Sequence, residues 1–239
     1  MHGNPHKLTD ARVGLNGEAV RTALWLGLPS AREYFDPATL SSTDQARIAD
    51  RRGDRRRADF EVSRALLAFA DVGSAAHSLS HSAEHAALLL TPTDWSVGVD
   101  LEVARPRDVL RLARFAFDER EVQALEAAPE AARLQLFYTL WTLKESFAKA
   151  LRLELVAALR RCVFWNEGAE WHGRVPTGAA WSAAVFQPRS EIFVAAACIG
   201  ETTLMPLQLW EWPPQRRADW PLIAAVCAAA PSSADAAPA

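Results

Sequence analysis

The sequence predicts an α+β protein of two lobes, each a small, mostly antiparallel sheet packed with helices. Three observations predict it. Strand-like and helix-like patterns come in blocks rather than in strict alternation, which argues against a parallel doubly wound sheet. The strand-like segments are short and separated by turn-like stretches such as "SAE" (82–84) and "TPTD" (91–94), as hairpins require. Half of the 239 residues are hydrophobic, ample for one large core or two small ones.

The elements follow in order. Residues 1–20 are polar, with three glycines and a proline, and are expected to be disordered. "TALWLGL" (22–28) suits a first strand. Residues 41–72 look helical with a break near Gly53, and Leu66, Leu67 and Phe69 supply a late apolar face. "AHSLSHS" (76–82), "EHAALLL" (84–90) and "WSVGVDLEV" (95–103) read as three short strands. "RDVLRLARFAF" (107–117) and "DEREVQALEAA" (118–128) read as helices, the second opening on Asp118 as N-cap with Glu121 three later. A long helix spans about 129–152. "RRCVFWN" (160–166), "AWSAAVF" (180–186), "EIFVAAACI" (191–199) and "LQLWEW" (207–212) then read as strands. These assignments place an N-terminal lobe over 21–104 and a C-terminal lobe over 105–227, followed by a low-complexity tail, 228–239, expected to be disordered.

The net charge of −3 and a pI near 6.1 give no bulk attraction to nucleic acid or to an anionic membrane. Arginines nevertheless crowd two regions: Arg47, Arg51, Arg52, Arg55, Arg56, Arg57 and Arg64, then Arg105, Arg107, Arg111 and Arg114. Without an RNP-like or helix-turn-helix pattern, this clustering does not make a nucleic-acid protein. Cys162, Cys198 and Cys227 are odd in number, far apart and in apolar surroundings. They point to reduced, buried thiols and a cytoplasmic protein. The start of the chain carries no apolar export core, and no apolar run reaches the roughly 18 residues of a spanning helix. Neither export nor membrane insertion is expected.

Two elements carry chemistry. In "WSVGVDLE", alternation puts Val97, Val99, Leu101 and Val103 on one side and Ser96, Gly98, Asp100 and Glu102 on the other. The second side brings two carboxylates together beside a glycine whose missing side chain leaves room for a ligand. A half-buried strand with a solvated face would read the same way. On the long helix, Leu136, Leu140, Leu143 and Phe147 form an apolar stripe, and Leu134, Tyr138, Trp141, Glu145 and Lys149 lie opposite. If that opposite side meets protein, its charges must be satisfied there. Glu145 and Lys149 could do so by pairing with each other at i,i+4. Taken together, Asp100, Glu102 and Glu145 supply three oxygen donors, which suits Mg²⁺ or Mn²⁺. Zinc is not indicated, because His6, His77, His81, His85 and His172 share no metal spacing with a cysteine.

"VGVDLE" followed by "FYTLWTLKESFAKAL" resembles the two signature blocks of the Sfp-type 4′-phosphopantetheinyl transferases, and "SLSHS" resembles the block that precedes them. All three occur in family order within about residues 56–153. The resemblance implies a two-lobed α+β fold with pseudo-twofold related halves, Mg²⁺, coenzyme A as donor and a serine of an acyl or peptidyl carrier protein as acceptor. By position it implies Asp100, Glu102 and Glu145 as metal carboxylates, with Glu145 also the general base. It further implies Lys149 and His81 on the diphosphate, and Lys144 within the motif's K-E pair at the donor site. "RRRADFEVSR" resembles the arginine helix that holds the 3′-phosphate, implying Arg57 and Arg64. The chain departs from the family where "ADVGSAAH" (70–77) replaces a G-K-P-type loop, so one donor contact is missing or supplied differently.

The activity so implied is attack of the acceptor serine on the β-phosphorus of coenzyme A, with 3′,5′-ADP leaving. Two other readings stay open: a different Mg²⁺-dependent, diphosphate-cleaving enzyme, and a degenerate homologue that binds carrier proteins without modifying them. A monomer is expected, since two similar halves in one chain place the site in their cleft. Arg111 and Arg114, with Arg107 one turn earlier, share a helix face that would steer an acidic carrier.

Overall fold

A computed structural model describes residues 22–50, 54–91, 95–201 and 207–230, without the side chains of 47–50 and 55. The disorder expected for 1–20 and, within the expected tail 228–239, for 231–239 lies outside the described residues, as do the side chains of Arg47, Arg51, Arg52 and Arg55, whereas Ala228 ends a strand. The first part of the chain forms β1 (Ala23–Gly27), α1 (Ser42–Asp50), α2 (Asp54–Ala70), β2 (Ala76–Ser82), β3 (His85–Thr91) and β4 (Ser96–Val103). Four helices follow: α3 (Val109–Ala116), α4 (Glu119–Ala127), α5 (Glu130–Leu151) and α6 (Leu155–Arg161). The rest is β5 (Val163–Glu167), β6 (Glu170–Arg174), β7 (Trp181–Arg189), β8 (Ile192–Ile199), β9 (Gln208–Trp212), β10 (Arg216–Arg217) and β11 (Leu222–Ala228).

The strands make a five-stranded sheet in the order β10-β9-β1-β3-β2, a four-stranded sheet β11-β7-β8-β4, and a ribbon β5-β6. All pairings are antiparallel except β1 with β9. The α+β expectation holds. One connectivity occurs twice, a strand, then helices, then a hairpin whose second strand pairs back with the first. In the first sheet β1 pairs with β3, and in the second β4 pairs with β8.

The layers run α2, first sheet, second sheet, α5, and alternation sorts each inner strand into two cores rather than into core and solvent. In β1, Ala23 and Trp25 meet Val62, Ala65 and Leu66 of α2. Leu24 and Leu26 meet Val99, Leu101, Val194 and Ala196 of the second sheet. On that sheet's far side Val185, Ala195 and Ala197 meet Leu140, Leu143 and Phe147 of α5. Because α5 is covered on several sides from Phe137 to Ala150, its polar side chains need local partners. Thr139 and Thr142 donate to the carbonyls four residues back at 2.9 and 2.8 Å.

The sheets do not part at residue 104. β4, expected in the N-terminal lobe, is an edge strand of the second sheet through β8, and β9 joins the first sheet beside β1. α6 occupies residues where a strand was expected to begin, while β6 and β11 have no counterpart in the sequence reading. "LIAAVCA" of β11 is alanine-rich, a weak strand former, and becomes a strand by pairing with β7. Cys162 and Cys198 are buried, as expected, whereas Cys227 on β11 is exposed. Among the described residues no helix is long and apolar enough to cross a membrane.

Candidate active site

The site lies where the edges of the two sheets meet, under α5. β2 and β4 belong to different sheets, and serine side chains span the seam at alternate positions. Ser78 Oγ accepts from Val99 N at 3.0 Å, Ser80 Oγ donates to Asp100 Oδ1 at 2.9 Å, and Ser82 Oγ donates to Glu102 Oε2 at 3.3 Å. This period-two run was visible in "SLSHS", but the sequence reading singled out only its histidine.

Gly98 fixes how closely α5 approaches. A Cβ there would stand 1.9 Å from Ser146 O and 2.7 Å from Ala150 N, so no other residue fits without moving the helix. The space the sequence reading reserved for a ligand is therefore taken by the backbone of α5. Ser96 Oγ donates to Ala150 O at 2.5 Å on the same strand face. With α5 pressed on the polar side of β4, Glu145 and Lys149 come against Asp100 and Glu102.

Lys149 does not form the i,i+4 pair with Glu145. Its Nζ donates to Val99 O at 2.7 Å and to Ser80 Oγ and Asp100 Oδ1 at 2.9 Å each, which uses all three donors. One ligand oxygen from each of Asp100, Glu102 and Glu145 lies within 4.8 Å of the others. Asp100 is 2% exposed, and its Oδ2 is buried without a hydrogen-bond partner. Were all three carboxylates ionised, they would outnumber the one contacting ammonium by two charges. Burial, then the charge of Asp100, pushes Glu145 up to about 8 against the pull of Lys149. Burial and Asp100 likewise raise Glu102, opposed by Arg107, Ser82 and Arg105. A divalent cation with oxygen preference would relieve that excess and give the orphaned oxygen a partner, so the residues present fit Mg²⁺ or Mn²⁺.

Other residues expected at the site stand elsewhere. Lys144, expected at the donor site, stands in the core instead. Its side chain is 0% exposed, and Nζ is held by Glu121 Oε2 at 2.7 Å, Leu159 O at 2.6 Å and Cys162 O. An enclosed ammonium with every donor engaged belongs to the core and reaches no donor phosphate. His81 is exposed and falls between Ser80 and Ser82, so strand alternation points it away from the carboxylates. Arg57 Nε donates to Glu61 at 2.8 Å. Arg64 Nη2 donates to Asp44 at 2.8 Å, with its guanidinium 4.8 Å above the Phe60 ring. Both arginines are on α2, across the first sheet from α5. The capping box of Asp118 and Glu121 is formed, and Glu121 also accepts from Phe164 N at 2.9 Å.

A carboxylate triad at the seam of the two sheets, with Lys149 against it, is a set of oxygen donors that could hold a hard cation. Residues 96–197 match the family model described as the 4′-phosphopantetheinyl transferase superfamily. It is 31% identical to 4′-phosphopantetheinyl transferase HetI of Nostoc sp. over 124 residues, 52% of this chain and 51% of HetI. It is 42% identical to 4′-phosphopantetheinyl transferase AcpT of Salmonella typhimurium over 73 residues, 30% of this chain and 38% of AcpT. A relative from Synechocystis sp. is 40% identical over 74 residues, 30% of either chain. The matches thus span about half the length of HetI and about a third of the other two.

Proposed function

We propose that the protein transfers the 4′-phosphopantetheine arm of coenzyme A to a serine of an apo acyl or peptidyl carrier protein, with Mg²⁺, releasing 3′,5′-ADP. The observation that carries this is the triad of Asp100, Glu102 and Glu145, with its orphaned Asp100 oxygen and its crowded acids. The superfamily match across β4 and α5 supports it.

Mg²⁺ bound there would neutralise the diphosphate and hold it in place. Lys149, locked by Ser80, Asp100 and Val99 O, keeps a positive charge against the leaving group. Glu145 accepts the serine proton on a carboxylate oxygen, directly or through water. Ser80 and Ser82 orient Asp100 and Glu102 from behind. His81, Arg57 and Arg64 belong to this reading as donor contacts only if substrate draws them from the partners or face they hold. The protein acts as a monomer in the cytoplasm, with its site complete in one chain.

Intact-mass measurement on a panel of apo carrier proteins with coenzyme A and Mg²⁺ tests this. The expected result is a phosphopantetheine adduct and 3′,5′-ADP only when a carrier is present. Release of 3′,5′-ADP without a carrier would indicate a diphosphate hydrolase. Carrier binding without an adduct would indicate a degenerate homologue.

A further inference from the structure

The turn between β2 and β3 holds two residues, Ala83 and Glu84, and both are left-handed, at φ 47° and 63°. A two-residue hairpin loop of this hand matches the twist of its strands, and Asn-Gly or Asp-Gly ordinarily fills it. Alanine and glutamate are disfavoured there, because a Cβ crowds the following carbonyl. Residues in such conformations persist where the surrounding structure over-determines them, most often at functional sites. Something outside the hairpin has to hold this turn.

What holds it is α2. The hairpin ladder closes on the Ser82–His85 pair, and the Glu84 amide beyond it turns outward. Asp59 Oδ1 accepts from Glu84 N at 2.5 Å. His85 Nδ1 lies 2.9 Å from Ala83 O and closes the turn from its other end. Ser82 stands directly before the turn, and its Oγ donates to Glu102 Oε2 at 3.3 Å. That bond is already long, so a small shift of the turn breaks it. Resting on the function proposed above, we infer that Asp59 is a positioning residue for the metal carboxylate Glu102, acting through the β2–β3 turn and Ser82.

The two serine-held carboxylates differ in how much they need such help. Ser80 lies inside β2, opposite Ala87 in the regular ladder, and Asp100 is also gripped by Lys149 at 2.9 Å. Ser82 lies at the end of its strand, where ladders fray, and Glu102 is only half-buried. A clamp on the turn is worth most at that end of the seam. Asp59 itself reaches neither Glu102 nor Asp100. It belongs to α2, so the outer helix of the first sheet takes part in ordering a site built under α5. Outer partners of this kind set the orientation of a ligand, and through it the affinity for the metal.

Titration of the metal-free full chain with Mn²⁺, read by electron paramagnetic resonance of the free ion, tests the inference without turnover. Ser82→Ala should weaken Mn²⁺ about tenfold, the loss of a metal ligand's own partner. Asp59→Ala should weaken it about fivefold, one contact further out. Asp59→Asn keeps an oxygen for the Glu84 amide and should stay within about twofold of wild type. The double variant, Asp59→Ala with Ser82→Ala, should bind no more weakly than Ser82→Ala alone, since the two contacts act in series. Unchanged Mn²⁺ affinity in folded Asp59→Ala overturns the inference, even if its thermal midpoint falls. So does a double variant whose losses multiply, or an Asp59→Asn as weak as Asp59→Ala. If Asp59→Ala does not fold, Asp59→Ser replaces it with the same expected loss. A wild-type chain that binds Mn²⁺ and loses it in Glu145→Gln, with Asp59→Ala unaltered, sinks this inference alone. A wild-type chain that binds no Mn²⁺, or binds it equally in Glu145→Gln, sinks the proposed function together with it.

Discussion

Lys144 and Glu145 are consecutive on α5, yet they face opposite electrostatic situations. Lys144 meets Glu121 and two carbonyls in a wholly enclosed pair, while Glu121 also takes Phe164 N and Asp118 N. Charges balance and every donor is used. Burial lowers Lys144 and raises Glu121, and each partner pulls the other back. Glu145 meets two more carboxylates and a lysine already held by others. One side of the helix is closed, and the other is left incomplete. A buried pair of the first kind fixes geometry. An excess of buried acid of the second kind has a physical reason to persist if a cation completes it.

The largest expected effect breaks the open side. Glu145→Gln and Asp100→Asn should each lower transfer by about 10³-fold or more, since both remove charge from the cation clamp. Neither should lower the metal-free thermal midpoint, because each relieves repulsion among the three acids. Turnover by intact mass, beside thermal unfolding in chelator, checks both halves. Near wild-type turnover in either variant would discard the site.

The closed side should respond in the opposite way. Lys144→Met leaves Glu121 buried without its cation, and stability should fall by about 3–5 kcal/mol. At temperatures where the variant remains folded, its KM for coenzyme A should stay near wild type. A double variant, Lys144→Met with Glu121→Leu, should regain much of the loss. Urea titration of the three proteins decides. If Lys144→Met keeps full stability and raises the KM for coenzyme A, then Lys144 acts at the donor after all.

Titration gives the third contrast. Glu145 is raised from 4.5 to about 8, so its contribution to stability is intact below about pH 4.5 and is lost as pH rises through 8. Glu211 of β9 goes the other way. Burial opposes ionisation there, but hydrogen bonds from Arg189, Arg216 and Trp220 outweigh it and hold the carboxyl at about 2. Its contribution is intact above about pH 4.5 and is lost as pH falls towards 2. Metal-free protein should therefore lose stability along both limbs. Glu145→Gln should flatten only the alkaline limb and Glu211→Gln only the acid one. Mg²⁺ should flatten the alkaline limb as well, since it binds the ionised carboxylates. Thermal midpoints across pH, with and without Mg²⁺, provide the check.

The triad was legible because strand alternation and helix periodicity are local rules. They placed Asp100 beside Glu102 and put Glu145 and Lys149 on one side of α5, and docking the two elements completed the set. What docking alone decides was not legible. Gly98 looked like an opening for a ligand because a single strand carries no sign of the helix pressed on it. Lys144 looked like a donor contact because its neighbours in sequence are site residues, whereas its partners Glu121, Leu159 and Cys162 come from other elements. The paired edges of β2 and β4 were hidden for the same reason. Ser78, Ser80 and Ser82 alternate plainly in the sequence, but what they bridge is another sheet. β11 was missed because alanine-rich residues become a strand only beside β7.

The smallest expected effect concerns a surface, where the contrast between balanced and unbalanced charge is weakest. On α3, Arg111 is exposed, while Arg114 pairs with Glu126 at 2.7 Å in a bridge that is itself largely exposed. Such a bridge contributes little, but it leaves Arg114 the less available of the two. Arg107 precedes α3 rather than sharing its face, lying 5.4 Å from the Tyr138 ring and within the electrostatic reach of Glu102. If an acidic carrier approaches along α3 towards the triad, Arg111 is the cation it meets unshielded. Arg111→Glu should then raise the carrier KM several-fold at low salt, with the difference fading as salt approaches the screening regime. Arg114→Glu should do less, since Arg114 already faces Glu126. The KM for coenzyme A should hold in both if the triad and Lys149, rather than α3, hold the donor. Steady-state kinetics at two ionic strengths separates the outcomes: an unchanged carrier KM at low salt removes α3 from the docking path, and an equal rise for both substrates moves these arginines to the donor.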